Sequence, residues 1–305
     1  MGQKGNGSMI TKRAIVIPDQ HFPIHDQAAV NVTLQAMEMI KPDLFINLGD
    51  VGEWSSVSAW QWKGKKQPPL EYQLPFIKEE IEQVNEGIDQ FDKVLDKIKC
   101  KERYILAGNH DEWLTYGFCE RYPYMKNYTF RKACKWDERG YKYYEYNQPL
   151  KIGKVNFIHG AYATTYHAKK HLEAYGSNII YGHTHDIQRH STTKLDSGTI
   201  GAWSMGCLKD MSPKKNKWLR GRLHNWNHAF GIVDFFKGGN FKVEVVEIVE
   251  MVEIVGRVHI GCESRVRTAG RAYERASGGW LSHSWRRELA QTDLTADKRR
   301  IKNVN

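Results

Sequence analysis

Short, wholly apolar runs alternate with amphipathic stretches along most of the chain. Ala14-Ile15-Val16-Ile17 has no polar position and predicts a strand covered on both faces. Residues 26–40 follow with Val30, Leu34, Met37, Met39 and Ile40 on one helical face. Asp26 is placed to cap that helix and Pro42 to stop it. Residues 44–48 form a second apolar run. Strand, helix, strand implies a parallel or mixed sheet covered by helices. Ile77, Ile81, Val84, Ile88, Phe91, Leu95 and Ile98 recur at spacings of four and three, which predicts a long helix over 75–98 opened by Pro75. Residues 104–106, 155–158 and 179–181 give a third, fourth and fifth strand. A further strand and turn is expected within 199–208, and closing strands over 230–236 and 241–255. In the last of these, Glu244, Glu247, Glu250 and Glu253 come every third residue. That spacing fits neither a strand nor a helix and reads as solvated charge.

Between these elements lie stretches of different character. Residues 54–74 are rich in Trp, Lys and Gln and read as an irregular insertion. Trp54, Trp60 and Trp62 beside Lys63, Lys65 and Lys66 either stack bases or pack the loop onto the body. Residues 112–140 interleave aromatics with Arg121, Lys126, Arg131 and Lys132, as a substrate surface or as lid packing. Residues 213–222 form a basic loop. The 305-residue chain suffices for a sizeable core, and 41% hydrophobic content marks it as globular. It has no run long enough to span a bilayer, and residues 1–8 lack the apolar core of a signal peptide. Five cysteines without a CxxC pair point to reduced thiols, hence a cytoplasmic setting. The net charge of +10 favours a polyanionic partner such as DNA or RNA, or simply a soluble surface. Past Gly256 the composition shifts, with 9 Arg and 2 Lys against 5 acidic residues. The expected organisation is therefore one catalytic-type domain over 1–256 and a basic, Arg-rich extension over 257–305.

Candidate chemistry sits directly after the strands. The first is followed by Asp19-Gln20-His21, whose side chains share one side of an extended segment. The second closes on Gly49-Asp50, the third on Gly108-Asn109-His110-Asp111, the fourth on His159-Gly160, and the fifth on Gly182-His183-Thr184-His185. In open α/β sheets ligands gather at the carboxyl ends of strands. Carboxylate with imidazole suits Zn, Mn or Fe better than Ca or Mg. Asp19, His21, Asp50, Asn109, His159, His183 and His185 are too many ligands for one ion and suit two, with Asp50 able to bridge. The glycine before His183 is expected to let the backbone approach an ion closely. His167, His171 and His190 lack the strand-end setting and read as surface residues or as residues behind the ligands.

This ordered set, D-x-H, G-D-x-x-E, G-N-H-D, H-G and G-H-T-H over about residues 14–190, resembles the calcineurin-like metallophosphoesterase superfamily. The resemblance implies a four-layer α/β/β/α sandwich of two mixed sheets with flanking helices. It also implies two divalent ions, Mn²⁺ or else Fe, Zn or Ni. Asp19, His21 and His185 would hold one, Asn109, His159 and His183 the other, and Asp50 would bridge. His110 would be the catalytic histidine that protonates the leaving group, and Glu53, where Asp is commoner, would orient it. Trp54 and Ala107 stand where members acting on phosphoproteins carry arginines, which weighs against that substrate. The expectation is a phosphoesterase cleaving phosphodiester or phosphomonoester bonds in nucleic acid or nucleotides. The alternatives are a broad small-substrate phosphatase and a catalytically silent protein-binding scaffold.

Overall fold

The computed structural model describes residues 9–58, 65–195 and 198–249. Its strands are β1 (Ile10–Ile17), β2 (Leu44–Asn47), β3 (Glu102–Leu106), β4 (Tyr141–Tyr144), β5 (Leu150–Ile152), β6 (Val155–Ile158), β7 (Ile179–Tyr181), β8 (Arg189–Lys194), β9 (Gly198–Ser204), β10 (Ala229–Phe236) and β11 (Phe241–Glu247). Its helices are α1 (Gln27–Ile40), α2 (Leu70–Lys97), α3 (Asn109–Glu112), α4 (Phe130–Ala133) and α5 (His167–Tyr175). One sheet runs β11-β10-β1-β2-β3-β4 and the other β5-β6-β7-β9-β8. β1 through β4 pair in parallel, as do β6, β7 and β9 in the other sheet. The outer pairs β1–β10, β10–β11, β5–β6 and β8–β9 are antiparallel. Both sheets are therefore mixed.

The sheets pack face to face. Val16, Ile46 and Leu106 of the first meet Val155, Phe157 and Ile180 of the second in one apolar core. On the outer face of the first sheet, Phe45 of β2 meets Phe91 of α2, with ring centroids 5.9 Å apart. On the outer face of the second, Ala168 and Leu172 of α5 bury against Ile158, Ile179, Ile200 and Ala202. The result is the expected α/β/β/α sandwich. Both central strand sets are apolar on both faces because each is covered twice.

Local signals explain most element ends. The Asp26 carboxylate accepts the Ala29 N–H at 2.9 Å, the expected cap of α1. Helix α2 starts at Leu70, five residues before the expected start, and contains Pro75. Proline lacks only one N–H, and the long apolar stripe behind it holds the helix through that gap. Residues 70–74 of the expected irregular insertion are thus helical, and Trp60 and Trp62 lie outside the described residues. β4, β5 and β8 were not expected. β8, Arg-His-Ser-Thr-Thr-Lys, is an edge strand exposed at most positions, so it carries no apolar alternation to read. Of the strand expected over 241–255, Phe241–Glu247 is formed, and residues from 250 onward lie outside the described set, as does the boundary expected at 256. Among the described residues, no helix is long and apolar enough to cross a membrane. The four described cysteines are buried and unpaired.

Candidate metal centre

The five strand-end stretches converge. The backbone records the convergence as strain. Five of the non-glycine residues with left-handed φ are Asp19 (40°), His21 (54°), Asp50 (48°), His183 (71°) and His185 (63°). Such conformations are uncommon away from glycine and collect where function holds them. Two glycines make the approach possible. A Cβ on Gly108 would stand 2.1 Å from Asp50 Oδ1, and one on Gly182 would stand 2.2 Å from Asp19 Oδ2. What presses on Gly182 is the Asp19 carboxylate, which accepts the His183 N–H at 2.9 and 3.0 Å. That differs from the expected role of this glycine toward an ion.

Two clusters share one floor. Asp19, His21 and His185 form one; Asp50, His159 and His183 form the other, and His21 and Asp50, one from each, also group with His110. His21 Nε2 lies 3.0 Å from His185 Nε2, and His185 Nε2 lies 3.4 Å from Asp19 Oδ1. His159 Nε2 lies 3.4 Å from Asp50 Oδ2 and 3.0 Å from Asn109 Oδ1, which in turn lies 2.8 Å from His183 Nδ1. Asp50 Oδ2 is also 3.7 Å from His21 Nε2, so this carboxylate reaches both clusters. Ligand atoms about 2.1 Å from a common ion stand roughly 3.0–3.5 Å from one another. The distances of 3.0 and 3.4 Å match, whereas Asp50 Oδ2 and Asp19 Oδ1 stand wider from His21 Nε2, at 3.7 and 4.0 Å.

The outward nitrogens fit the same reading. His159 Nδ1 donates to the Leu48 carbonyl at 2.9 Å, which leaves the Nε2 lone pair facing Asp50. His21 Nδ1 lies 2.8 Å from Glu53 Oε2, and its Nε2 faces the cluster. Burial, reinforced by Lys209, lowers His21 to about 3, so it is held as the neutral imidazole a metal requires. Burial works against a charge on His159, yet Asp50 raises it to about 9, so Nε2 would present its lone pair only once a bound ion had displaced that proton. Asp19 and Asp50 are almost fully buried, and their charge calls for a cation between them. A histidine and aspartate cluster of this kind fits a metal site.

His110 lies at the edge of this floor. Its Nδ1 donates to the backbone carbonyl of Glu53 at 2.9 Å, and its N–H reaches Asp50 Oδ1 at 2.8 Å. Its ring lies 3.9 Å from that of Trp113. The Glu53 carboxylate was expected to orient His110, but Oε2 lies 3.8 Å away and turns instead to His21 and to Lys209 Nζ, 2.8 Å from each. The longer glutamate side chain carries its charge past His110, so the main chain takes over the orienting contact. Burial would raise the Glu53 acid, but His21 and Lys209 hold it far below the usual range.

Sequence reasoning missed Lys209. It is 2% exposed and lies in a segment with no motif around it. Asp111 is buried and accepts N–H groups from Gly108 and the Trp54 indole, both at 2.9 Å. It ties the Asp50 turn to the Asn109 turn. Burial and Asp50 raise its pKa to about 7. Trp54 is accordingly packed inside, the bland one of its two readings. His167 and His171 are buried behind the ligands, while His190 sits half-buried on β8. His167 Nε2 meets Asp186 at 2.9 Å and its Nδ1 meets the Tyr181 hydroxyl at 2.7 Å, beneath the Gly182–His185 turn. Their i, i+4 spacing on an apolar helix face was the available signal.

No family model matches the chain. It is 25% identical over 266 residues to the Gene 54 protein of Mycobacterium phage L5, covering 82% of this chain and 99% of that one. It is also 25% identical over 257 residues to the Gene 54 protein of Mycobacterium phage D29, covering 79% of this chain and 95% of the other. Among solved structures, the fold is similar to Chaetomium thermophilum Vps29 with a TM-score of 0.38 and 10% identity, over 78% of this chain and 96% of that one.

Proposed function

We propose that this chain is a dimetal phosphoesterase of the calcineurin-like superfamily, hydrolysing phosphodiester or phosphomonoester bonds in nucleic acid or nucleotides. The observation that carries this reading is the convergence of seven ligand-type side chains from five strand ends, with buried Asp50 within reach of both clusters. Asp19, His21 and His185 would hold one ion, and Asn109, His159 and His183 the other. Bound divalent ions would polarise phosphoryl oxygens and acidify water. The chain's own contribution is orientation and proton handling. Leu48 fixes the ring of His159 by its outer nitrogen, and the Glu53 carboxylate stands 2.8 Å from that of His21. The Glu53 carbonyl occupies His110 Nδ1. His110 Nε2 is then the nitrogen free to protonate a leaving alkoxide at the exposed side of the floor.

The test is a metal-reconstituted protein, with Mn²⁺, Fe²⁺, Zn²⁺ and Ni²⁺ in turn, assayed on aryl phosphate mono- and diesters. Hydrolysis is expected, and His110→Ala is expected to retain metal while losing about 10²–10⁴-fold in turnover. Full activity in that variant would remove His110 from the mechanism. No hydrolysis with any of the metals would leave the silent scaffold.

A further inference from the structure

The segment between β9 and β10 is tied down at both ends beside the metal floor. At one end His228 Nε2 donates to the Lys209 carbonyl at 2.8 Å. The same end is held at the site, where the Asn227 N–H reaches the His185 carbonyl at 2.8 Å and Trp226 bridges Asp186, and at the other end the Leu208 N–H reaches the Asp19 carbonyl at 3.0 Å. The buried Asn216 amide braces the middle by donating to the carbonyls of Asp210 and Ser212. The loop thus has a defined course next to His185.

Its side chains form two continuous features. The Trp226 ring meets the His185 ring edge-on, with centroids 4.7 Å apart. His224 lies 4.5 Å from Trp226 at 35°, and Trp218 lies 6.0 Å from it at 43°. An aromatic row therefore runs from a candidate metal ligand outward to Trp218, which is 56% exposed. The same segment carries Lys214, Lys215, Lys217, Arg220 and Arg222, all exposed, with no acidic residue between 213 and 222. None of these five pairs with a carboxylate among the described residues. Unpaired cations on a loop that also exposes Trp218 and His224, beside the candidate metal floor, match what an unpaired polynucleotide presents: stackable bases on an anionic backbone. A duplex hides its base faces, and an anionic lipid surface would not need rings ranged toward the metal floor.

We infer that Trp218, His224 and Trp226, with the basic loop around them, form a subsite that stacks the bases of a single-stranded nucleic acid and delivers its phosphates to the metal floor. The inference rests on the phosphoesterase reading for its purpose but not for its test. Binding is measured on the full chain without metal, so that nothing turns over. The probes are a labelled single-stranded oligonucleotide, its duplex, an abasic strand of equal charge, and phosphatidylserine vesicles. The single strand is expected to bind at least about tenfold more tightly than the abasic strand and to quench tryptophan fluorescence. Trp218→Ala should weaken binding to the base-bearing strand by about tenfold and leave the abasic strand unaffected, while Trp218→Phe should restore most of the loss. Equal affinity for abasic and base-bearing strands, unchanged binding in Trp218→Ala, or tighter binding to duplex or vesicles would each overturn the subsite. A chain that binds the strand but hydrolyses no phosphate ester with any metal would sink the proposed function and leave the subsite standing. One that hydrolyses aryl esters and ignores bases would do the reverse.

Discussion

At the scale of single residues, the site depends on charges that are buried in pairs. Lys209 has one carboxylate partner, Glu53, and that carboxylate also faces His21. Lys209→Met removes the cation and leaves Glu53 turned toward His21 alone, whose Nδ1 lies 2.8 Å from it while its Nε2 faces the cluster. Metal affinity is expected to change by about 10- to 100-fold, the scale found for partners behind ligands, while overall fold is retained. Metal titration by calorimetry reads this directly, and an unchanged affinity would mean that Lys209 only fills space. Glu112 presents the opposite case. It is 7% exposed, and neither carboxylate oxygen has a hydrogen-bond partner among the described residues. Burial, with Glu145 and Asp111 nearby, raises its pKa from 4.5 to about 8. The folded chain then binds more protons than the unfolded one between those values, so stability falls as pH rises across that window. Glu112→Gln should flatten the slope and leave the variant about 1–3 kcal/mol more stable than the parent at pH 9, measured by denaturant unfolding. Parallel pH profiles for the two proteins would show that Glu112 ionises freely when folded.

At the scale of elements, strand ends are where parallel sheets leave backbone groups and side chains without a next residue in the ladder. Each of β1, β2, β3, β6 and β7 ends in a sharp turn that aims ligands at the same floor. The turn after β3 is the tightest, because Gly108 lies against both the carboxylate and the backbone N of Asp50. Gly108→Ala cannot be accommodated by a rotamer change alone. It should cost roughly 1–3 kcal/mol by overpacking and displace Asp50 from its position between the clusters. Unfolding free energy and bound metal per chain measure the two effects separately. A variant with normal metal content would show that the turn yields without moving Asp50.

At the scale of the whole molecule, two sheets bury one another while helices cover their outer faces, and the candidate metal floor lies where strands of both sheets end. The ligands come from both sheets: Asp19, Asp50 and Asn109 follow strands of the first, and His159, His183 and His185 follow strands of the second. A cation held there would tie the two halves together. Saturating Mn²⁺ at about 100 times its dissociation constant should stabilise the protein by about 2.7 kcal/mol, raising Tm by roughly 5–10 °C. A chelator should reverse the shift. A Tm indifferent to every divalent ion tested would count against a metal joining the sheets.

Much of this architecture was legible in the chain itself, because the signals are local. An apolar run, a turn and a ligand within a few residues mark a strand end wherever the strand finally lies. The amphipathic stripe of α2 and the Asp26 cap needed no tertiary information either. Edge strands such as β8 escaped because their side chains face water and follow no pattern. Lys209 reaches Glu53 across 156 residues, and Trp226 reaches His185 through a loop whose sequence does not say what its rings meet. Residue types and spacing determined which atoms could bind a metal. Only the packing of one sheet on the other decided which nitrogen faces inward, that a main-chain carbonyl and not a carboxylate holds His110, and that an aromatic row leads to the floor. Those outcomes depend on contacts between distant segments, and no local pattern encodes them.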